Sequence, residues 1–355
     1  GHDLLNGGGE VRQEALGFGH GQWASWVRHT GHRCFALAVD FIAHQAVVAG
    51  DFFDFGFVFF GHARHNQVLI GGQAEVALVN FGDFAHACFQ RLAWVIEQAT
   101  IFNEQGQVQA TAQRETRIHT PQSGWVEQDA QEIWSSQIAV VQQALASARI
   151  LAKDIKAIGL TNQRETTVVW DKRTGQPLAP AIIWQDRRAL EWCNQLLQQN
   201  QKDKIQSKTG LRIDPYFSAG KLVWLLEHVN GLRRLAEQGH VAFGTIDSWL
   251  IWNLTQGAQH VIEVSNASRT MLMNLSTQKW DEELLDLFNI PSALLPKIIN
   301  SDTYVADTAA GLLGANIPIT GILGDQQSAL FGQSCFDIGT AKNTYGTGCF
   351  MLFNT

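Results

Sequence analysis

The first hundred residues lack several residue types that folded domains use. They contain no lysine, proline, tyrosine or methionine and a single serine, Ser25, yet they hold 8 of the chain's 12 histidines and 12 of its 20 phenylalanines. All 10 lysines and all 7 prolines lie in the other 255 residues. Because folded domains normally place lysine over their surface and proline in their turns, the chain divides into two parts of different character near residue 100.

Two interpretations of residues 1–100 follow from this imbalance, and both stay open at this point. The stretch is either an additional domain of unassigned fold, or a misframed or foreign segment joined to a folded one; the composition favours the second. The pairs His29/His32 and His62/His65 have spacings that can hold a metal. Histidine is so frequent here that chance alone produces such pairs, so they do not by themselves indicate a metal site.

Cysteine is scarce and scattered. The five cysteines are odd in number and form no C-x-x-C pair, so they indicate neither a disulfide framework nor a zinc ribbon and favour a reducing, cytoplasmic location; they are Cys34, Cys88, Cys193, Cys335 and Cys349. The net charge of −7, from 26 basic and 33 acidic residues, gives no electrostatic reason to expect nucleic acid as a partner. We therefore expect small molecules or proteins as partners, bound by a chain whose 355 residues suffice for two domains.

Long hydrophobic runs are also missing. The most apolar stretch, residues 36–60, is interrupted by Asp40, His44, Asp51 and Asp54, whereas a membrane span needs about 18 consecutive apolar residues. We expect no membrane span. The first residues show no basic stretch followed by an apolar core, so we expect no targeting segment either.

From Ile101 onward the sequence becomes regular and predicts strands that alternate with helices. The residues around the turn at 103–106 predict a strand pair, and Asp129 with Glu132 resembles a capping box in front of an amphipathic helix. Further strands are predicted at 157–161, 167–170, 181–184 and 317–324, and further helices at 188–199, 219–228, 248–254 and 281–288. This alternation is typical of an α/β layered domain.

Two short segments carry side chains or backbone suited to phosphate chemistry. Asp325 and Gln326 follow the predicted strand 317–324, and a carboxylate at the end of such a strand can take a proton from a hydroxyl or hold Mg²⁺. A helix N-cap is the simpler interpretation of an aspartate there. Thr347 lies between two glycines, which suits a phosphate cradle and equally a hairpin turn.

Seven runs after residue 100 match one family in their order along the chain: Ser123–Glu127, Thr161–Thr167, Ile183–Arg188, Asp214–Ser218, Asn266–Met271, Gly324–Gln327 and Asn343–Phe350. With these runs, residues 101–355 resemble the glycerol kinases, a group within the sugar kinases. The resemblance implies an α/β fold of the ribonuclease-H-like, actin-like ATPase type, with a mixed sheet and flanking helices in its first lobe. It implies that this lobe covers residues 101–334 and that a truncated second lobe begins at 335–355, with residues 1–100 unassigned.

The resemblance also implies roles for individual residues in the transfer of the γ-phosphate of ATP to glycerol, which gives glycerol 3-phosphate in glycerol catabolism. Asp325 would be the catalytic base and would also hold Mg²⁺. Gly346, Thr347 and Gly348 would form the second phosphate loop for ATP. The residues that would contact glycerol are Arg164, Glu165, Trp184, Tyr216, Asp325, Gln326 and Phe350.

The chemistry of these side chains agrees with such roles. Arg164 can donate to adjacent hydroxyls and Glu165 can accept from them, so a substrate that lacks one hydroxyl would leave a buried charge unpaired. Taken from the residues alone, the same two side chains could form a surface ion pair of little energetic value. Trp184 and Phe350 would wall the carbon side of glycerol, and Tyr216 would add a hydroxyl contact.

The sequence departs from the family where the first phosphate loop is expected. The family has an apolar strand that ends in an Asp-x-Gly-Thr-Thr turn shortly before Ile101, whereas this chain has no glycine between Gly82 and Gly106. We therefore expect either an impaired glycerol kinase or a non-catalytic remnant that binds glycerol. A kinase for another polyol or a pentose is a further alternative, and the sequence leaves the oligomeric state, including a homo-oligomer, open.

Overall fold

A computed structural model describes residues 35–44, 94–345 and 349–355 of the chain. The four histidines whose spacing suits a metal, His29, His32, His62 and His65, lie outside the described residues. Within the described residues, no helix combines the length and the apolar character that crossing a bilayer requires.

The strands follow the predicted pattern and extend it. Their bounds are β1 Phe35–His44, β2 Trp94–Asn103, β3 Val108–Arg117, β4 Glu127–Gln128, β5 Ile155–Asn162, β6 Val168–Asp171, β7 Ala181–Ile182, β8 Val241–Gly244, β9 Val261–Glu263, β10 Met273–Asn274, β11 Lys279–Trp280, β12 Lys297–Ile299, β13 Ala306–Asp307, β14 Pro318–Gly324, β15 Ala341–Tyr345 and β16 Cys349–Phe353. The strand pair predicted around the turn at 103–106 and the strand before Asp325 are confirmed.

The helices lie between these strands. Their bounds are α1 Ala130–Ala148, α2 Leu190–Gln198, α3 Lys202–Thr209, α4 Ser218–His228, α5 Leu232–Glu237, α6 Ile246–Leu254, α7 Val264–Ala267, α8 Glu282–Phe288, α9 Ala310–Leu313 and α10 Asp325–Gly332. Two short 3₁₀ helices lie at Ala152–Asp154 and Ser292–Leu294. The helices predicted at 188–199, 219–228, 248–254 and 281–288 are confirmed with small shifts of their ends. α3 is mainly polar in sequence, with Lys202, Asp203, Lys204, Gln206, Ser207 and Lys208, so it shows no apolar periodicity that would predict it.

A six-stranded mixed sheet in the order β13-β14-β5-β1-β2-β3 forms the framework. β1 pairs parallel with β5 and antiparallel with β2, while β14 pairs parallel with β5. The parallel pairing of β5 and β14 sets the ends of both strands side by side, with Asn162 opposite Gly324. Segments that follow neighbouring parallel strands therefore leave the sheet at the same edge.

The sheet extends further toward the N-terminus than the sequence indicates. No element is predicted before Ile101, but β2 begins at Trp94 and β1 lies between β2 and β5. Residues 94–100, where the family's first phosphate loop is expected, are part of β2 and contain no glycine. β1 pairs with a strand about fifty residues further along the chain, and such pairing leaves no local signal in the sequence.

The N-cap at the start of α1 shows how the sequence determines a helix end. The Asp129 carboxylate accepts hydrogen bonds from the backbone N–H groups of Gln131 and Glu132. An N-cap of this kind stabilises a helix by about 1 kcal/mol. Ile133 and Val140 on the same helix are buried against the sheet, in a core that also includes Trp249 of α6.

A second cluster of buried residues lies around α4, α5 and α8 and includes Phe243 of β8, Leu222 of α4 and Phe288 of α8. Burying each such side chain contributes about 1.5–3 kcal/mol. The fit is tight at Gly244, where an added methyl group would overlap with the side chain of Ser248. The segments on either side of α4 also contribute to this cluster, through Phe217 before the helix and Leu232 after it.

A buried arginine joins the loop after β7 to the rest of the lobe. The Arg188 guanidinium contacts Asp186 at 2.8 Å and Glu127 at 2.7 Å. It also lies 4.0 Å from the ring centroid of Trp125 and 4.7 Å from that of Trp224. Because Asp186 is 1% exposed, its charge is compensated mainly by this arginine.

Candidate functional site

The candidate site lies where β5 and β14 end. β5 is followed by the segment 163–167, which carries Arg164 and Glu165, and β14 is followed directly by α10, whose first residue is Asp325. The helix thus begins at Asp325, and Gly324 is the N-cap residue. The N-cap role considered for Asp325 is therefore wrong, because its carboxylate lies one position inside the helix.

Arg164 and Asp325 form the central ion pair of the site. Arg164 Nε lies 3.0 Å from Asp325 Oδ1, and Arg164 Nη1 donates to Gln327 Oε1 at 3.3 Å. Burial opposes the charged form of Arg164, but the carboxylates of Glu165 and Asp325 outweigh it and raise the pKa of the guanidinium. The Arg164 side chain packs directly on Gly324, where a Cβ atom would lie 2.6 Å from Arg164 Cδ. Gly324 therefore provides the space that the aliphatic part of the Arg164 side chain occupies.

Glu165 has an unusual backbone conformation. Its φ is +67°, in the left-handed region, although it is not a glycine, and it is 1% exposed. Such a conformation costs of order 1–3 kcal/mol and persists where surrounding contacts impose it. Here Arg269 Nε donates to Glu165 Oε1 at 2.6 Å, and Ser218 Oγ donates to the Glu165 carbonyl at 3.0 Å. These contacts hold the carboxylate next to Arg164.

Aromatic rings line one side of the site. The ring centroids of Trp184 and Tyr216 lie 5.7 Å apart in an edge-to-face arrangement. The Arg269 guanidinium lies 5.6 Å from the ring of Tyr216 and 4.8 Å from that of Phe217. Burial, followed by the negative charge of Glu165, raises the pKa of Tyr216. Its hydroxyl therefore keeps its proton and can donate a hydrogen bond.

A fully buried lysine binds the backbone of residues 215–217, the Tyr216 segment. Lys221 Nζ of α4 donates to the carbonyl oxygens of Pro215 and Phe217 at 3.0 and 3.2 Å, and also to that of Tyr216. Burial lowers the pKa of Lys221 to about 8. An ammonium group removed from water needs such acceptors, so Lys221 and the path of this segment depend on each other.

Gln326 and Lys342 complete the site on the side of α10. The Gln326 backbone N–H donates to Asp325 Oδ1 at 2.8 Å, and its side-chain Nε2 donates to Asp325 Oδ2 at 3.0 Å. Lys342 Nζ donates to Gln326 Oε1 and, at 2.7 Å, to Thr344 Oγ1. Burial lowers the pKa of Lys342 to about 8.

A polar network behind the site connects the two strand ends. Ser265 Oγ accepts from the Gly324 N–H at 2.9 Å and donates to Glu263 Oε2 at 2.5 Å. The side-chain amides of Asn162 and Asn266 donate to each other at 2.9 and 3.1 Å. Burial raises the pKa of Glu263 despite its hydrogen bonds. The network fixes the separation of the segments that carry Arg164 and Asp325.

An open pocket of about 540 Å³ adjoins these residues. Tyr216 forms part of its wall, together with the side chains of Arg187, Arg212, Arg269 and Asp214. Arg187 contacts Asp214 at 3.3 Å. Glu165 and Asp214 compensate two of the three arginines, Arg269 and Arg187, so the wall of the pocket carries only a small positive charge.

The structure brings together six of the seven residues expected to contact glycerol. Each of the six is linked to another by a hydrogen bond, an ion pair or a ring contact, either directly or through a neighbouring residue. These are Arg164, Glu165, Trp184, Tyr216, Asp325 and Gln326. Phe350, the seventh, lies on β16 opposite Thr344 of β15, so the hairpin that carries it contacts the site through Lys342. Gly346, Thr347 and Gly348, expected to bind the phosphates of ATP, lie outside the described residues. All these roles stay predictions.

Three charged residues of the site are not predicted from the sequence: Arg269, Lys221 and Lys342. Arg269 lies within the run Asn266–Met271, but its pairing with Glu165 joins residues 104 positions apart. Lys221 interrupts the apolar sequence of α4, and a lysine among apolar neighbours in a helix was the available signal. Lys342 follows a loop and shows no comparable signal.

Comparison with known proteins identifies the family of this chain. Residues 96–332 match the N-terminal domain of the FGGY family of carbohydrate kinases. The chain is 80% identical over 258 residues to the glycerol kinase of Acinetobacter baylyi and 58% identical over 258 residues to that of Acidovorax ebreus; each match covers 73% of this chain and 52% of the relative. The chain thus spans about half the length of these curated relatives.

Solved structures show the same fold. The crystal structure of Plasmodium falciparum glycerol kinase with ADP superposes with a TM-score of 0.70 at 30% identity, covering 90% of this chain and 54% of that one. The ligand-bound xylulose kinase from Lactobacillus acidophilus superposes with a TM-score of 0.66 at 21% identity, covering 72% and 51%. The fold is therefore the ribonuclease-H-like, actin-like ATPase fold with a mixed sheet and flanking helices. On the match of residues 96–332, which make up more than half of its length, the chain belongs to the FGGY family of carbohydrate kinases.

Proposed function

We propose that this chain is the acceptor-binding part of an ATP-dependent glycerol kinase, which transfers the γ-phosphate of ATP to glycerol and yields glycerol 3-phosphate. The observation that carries the proposal is the cluster of Arg164, Glu165 and Asp325 beside Tyr216, where two carboxylates flank one buried guanidinium. The similarity to glycerol kinases from several bacteria supports glycerol rather than a pentose. Kinases of another polyol or a pentose are the alternative that a binding test distinguishes.

Recognition of glycerol follows from the charges of the cluster. Arg164 donates to hydroxyl oxygens and Glu165 accepts from hydroxyl protons, so adjacent hydroxyls satisfy both side chains at once. A ligand without one of them leaves a buried charged group short of a hydrogen bond, which costs about 1.5–3 kcal/mol. Trp184 and Phe350 cover the carbon atoms, while Tyr216 and Gln326 supply further polar contacts.

Phosphoryl transfer needs a base beside the acceptor hydroxyl. In the proposed step, the hydroxyl oxygen of glycerol bonds to the γ-phosphorus of ATP, its proton passes to the Asp325 carboxylate and ADP departs. Gly346, Thr347 and Gly348 are proposed to contact the phosphates of ATP. Asp325 suits the role of base because Arg164 and Gln326 hold its carboxylate while it stays 24% exposed.

Asp325 is also proposed to hold the Mg²⁺ ion that accompanies ATP. Among the described residues no group of three or more His, Cys, Asp or Glu side chains could hold a metal ion. Mg²⁺ in kinases is usually bound by one or two carboxylates together with the substrate's phosphates, and a single partly exposed aspartate fits that pattern. When bound, the ion would neutralise charge on the phosphates.

We propose a cytoplasmic location, because Cys193, Cys335 and Cys349 are all free. Burial raises the pKa of Cys193 to about 12, which makes this thiol unreactive.

Glycerol binding by the chain itself tests the proposal. Isothermal titration calorimetry should show heat of binding for glycerol and for 1,2-propanediol, and about 10- to 150-fold weaker binding for 1,3-propanediol, which lacks adjacent hydroxyls. Glu165→Gln should weaken glycerol binding by a similar factor, whereas Glu237→Gln on the exposed surface of α5 should leave it unchanged. Tighter binding of xylulose than of glycerol would favour the pentose alternative, and absence of polyol binding would refute the proposal.

Turnover is a separate measurement. Residues 94–103 form a strand where the family's first phosphate loop is expected, so ATP consumption by this chain with glycerol and Mg²⁺ should lie at least a hundredfold below the usual kinase range of about 1–100 s⁻¹. A rate inside that range would show that the missing loop is dispensable.

A further inference from the structure

Lys342 is a buried cation with an unusual set of partners. It is 5% exposed, and its ammonium group donates to two neutral oxygens, Gln326 Oε1 and Thr344 Oγ1. A lysine loses much of its hydration when it is buried, so it remains in the protein interior only where acceptors replace water. Because Gln326 is one of these acceptors, Lys342 connects β15 to the first turn of α10.

The chemistry of lysine determines which way the Gln326 amide points. An ammonium group carries only donors, so the Gln326 group that faces it must be the oxygen. The Gln326 NH₂ group is then turned toward Asp325, where it donates to Oδ2 at 3.0 Å. A flipped amide would place its NH₂ against the ammonium and its oxygen against the carboxylate, two repulsive contacts in place of two hydrogen bonds.

The amide orientation in turn fixes the Asp325 carboxylate. Oδ1 accepts from the Gln326 backbone N–H at 2.8 Å and lies 3.0 Å from Arg164 Nε, while Oδ2 accepts from Gln326 Nε2. Both oxygens are therefore held by donors, and the second of these contacts depends on Lys342. A general base must lie within hydrogen-bond reach of the proton that it takes.

We propose that Lys342 is a positioning residue for phosphoryl transfer, which acts by orienting Gln326 so that the amide holds the Asp325 carboxylate in place. The role in transfer rests on the proposed function, in which Asp325 is the base; the orientation of the amide does not. Lys342 lies on β15, which ends at Tyr345, directly before the proposed phosphate contacts in the sequence.

The side-chain amide of Gln326 reports this orientation directly. In ¹⁵N-labelled chain, its NH₂ signals are assigned by their disappearance in Gln326→Ala. A proton donated to a carboxylate should resonate downfield and exchange slowly with water. Lys342→Met should remove the downfield shift, Lys342→Arg should keep it because arginine also carries only donors, and Lys279→Met at an exposed position should not change it.

Glycerol affinity is the second readout. Lys342→Met should weaken glycerol binding about 3- to 10-fold, which corresponds to the loss of one hydrogen bond. Lys342→Arg should keep most of the affinity. Circular dichroism and thermal unfolding show whether each variant is folded. If Lys342→Met does not fold, Lys342→Gln replaces it, because glutamine can donate or accept and should leave Gln326 exchanging between two orientations.

An unchanged Gln326 signal in folded Lys342→Met, or in Lys342→Gln where that variant is used, would overturn the inference. If the wild-type chain binds no glycerol, the proposed function fails, whereas the amide signal still tests the orientation.

Discussion

Gly324→Ala adds one methyl group at the point where Arg164 packs on the end of β14. The new Cβ would lie 2.6 Å from Arg164 Cδ and 2.8 Å from Arg164 Cγ. Ordinary carbon contacts begin at about 3.5 Å, so the arginine must move by about 1 Å. Backbone strain plays no part, because Gly324 has φ −60° and ψ 149°, which alanine adopts readily.

The displaced guanidinium moves away from Asp325. Arg164 Nε now lies 3.0 Å from Asp325 Oδ1, and a movement of about 1 Å would lengthen this ion pair to its outer limit of about 4 Å. The same movement takes the guanidinium away from the glycerol hydroxyl that it is proposed to bind, and hydrogen bonds to charged groups contribute about 1.5–3 kcal/mol. We therefore expect Gly324→Ala to weaken glycerol binding about 10- to 150-fold in calorimetric titration.

Gly321→Ala on the same strand is the matched control, since its added methyl group would meet nothing within 4 Å. It should leave glycerol affinity unchanged. It should raise the free energy of unfolding by about 0.4–1 kcal/mol, because alanine lowers the conformational entropy of the unfolded chain. Binding by Gly324→Ala within twofold of wild type would refute the steric argument, as would an equal loss in Gly321→Ala.

Three further predictions concern stability. Arg188→Met should lower the free energy of unfolding by about 3–5 kcal/mol in urea, because it leaves the buried carboxylate of Asp186 without its cation; a loss below about 1 kcal/mol would contradict this. Burial raises the pKa of Asp247 to about 7, so its contribution to stability is present below pH 4 and is lost as the pH rises to 7. Between pH 4 and pH 7, the free energy of unfolding should therefore fall less in Asp247→Asn than in wild type. Burial lowers the pKa of His260 to about 4, which has the opposite effect on stability, but this effect is the same in both proteins and cancels in the comparison. Parallel curves for the two proteins would contradict the role of Asp247. Gly244→Ala should lower Tm by several degrees in thermal unfolding, since overpacking costs about 1–3 kcal/mol, and an unchanged Tm would show that the core yields there.

Features that depend on neighbouring residues were predictable from the sequence. The Asp129 cap, the strand that ends before Asp325 and the hairpin around residues 346–348 all have local signals in the form of capping residues, apolar runs and glycines. The resemblance to glycerol kinases supplied the residues at the ends of β5 and β14. Its expectation of an α/β, actin-like fold is confirmed.

Features that depend on distant contacts were not predictable in this way. The place of β1 in the sheet, the pairing of Arg269 with Glu165 and the contact of Lys342 with Gln326 each join parts of the chain that are separated in sequence. A lone lysine or arginine in a sequence is most often a solvated surface residue. Only the folded arrangement shows that these cations lie against the groups proposed to bind substrate.

The buried ammonium group beneath the Tyr216 segment has a consequence for how this site can be redesigned. Lys221 donates its hydrogen bonds to the main-chain carbonyls of Pro215, Tyr216 and Phe217. Tyr216, which is half-buried in the pocket wall, can therefore be exchanged while the same cation preserves the course of the backbone, whereas Phe217 is buried in the core and has to be retained. Libraries that vary position 216 and retain the lysine should yield folded proteins more often than libraries that vary both.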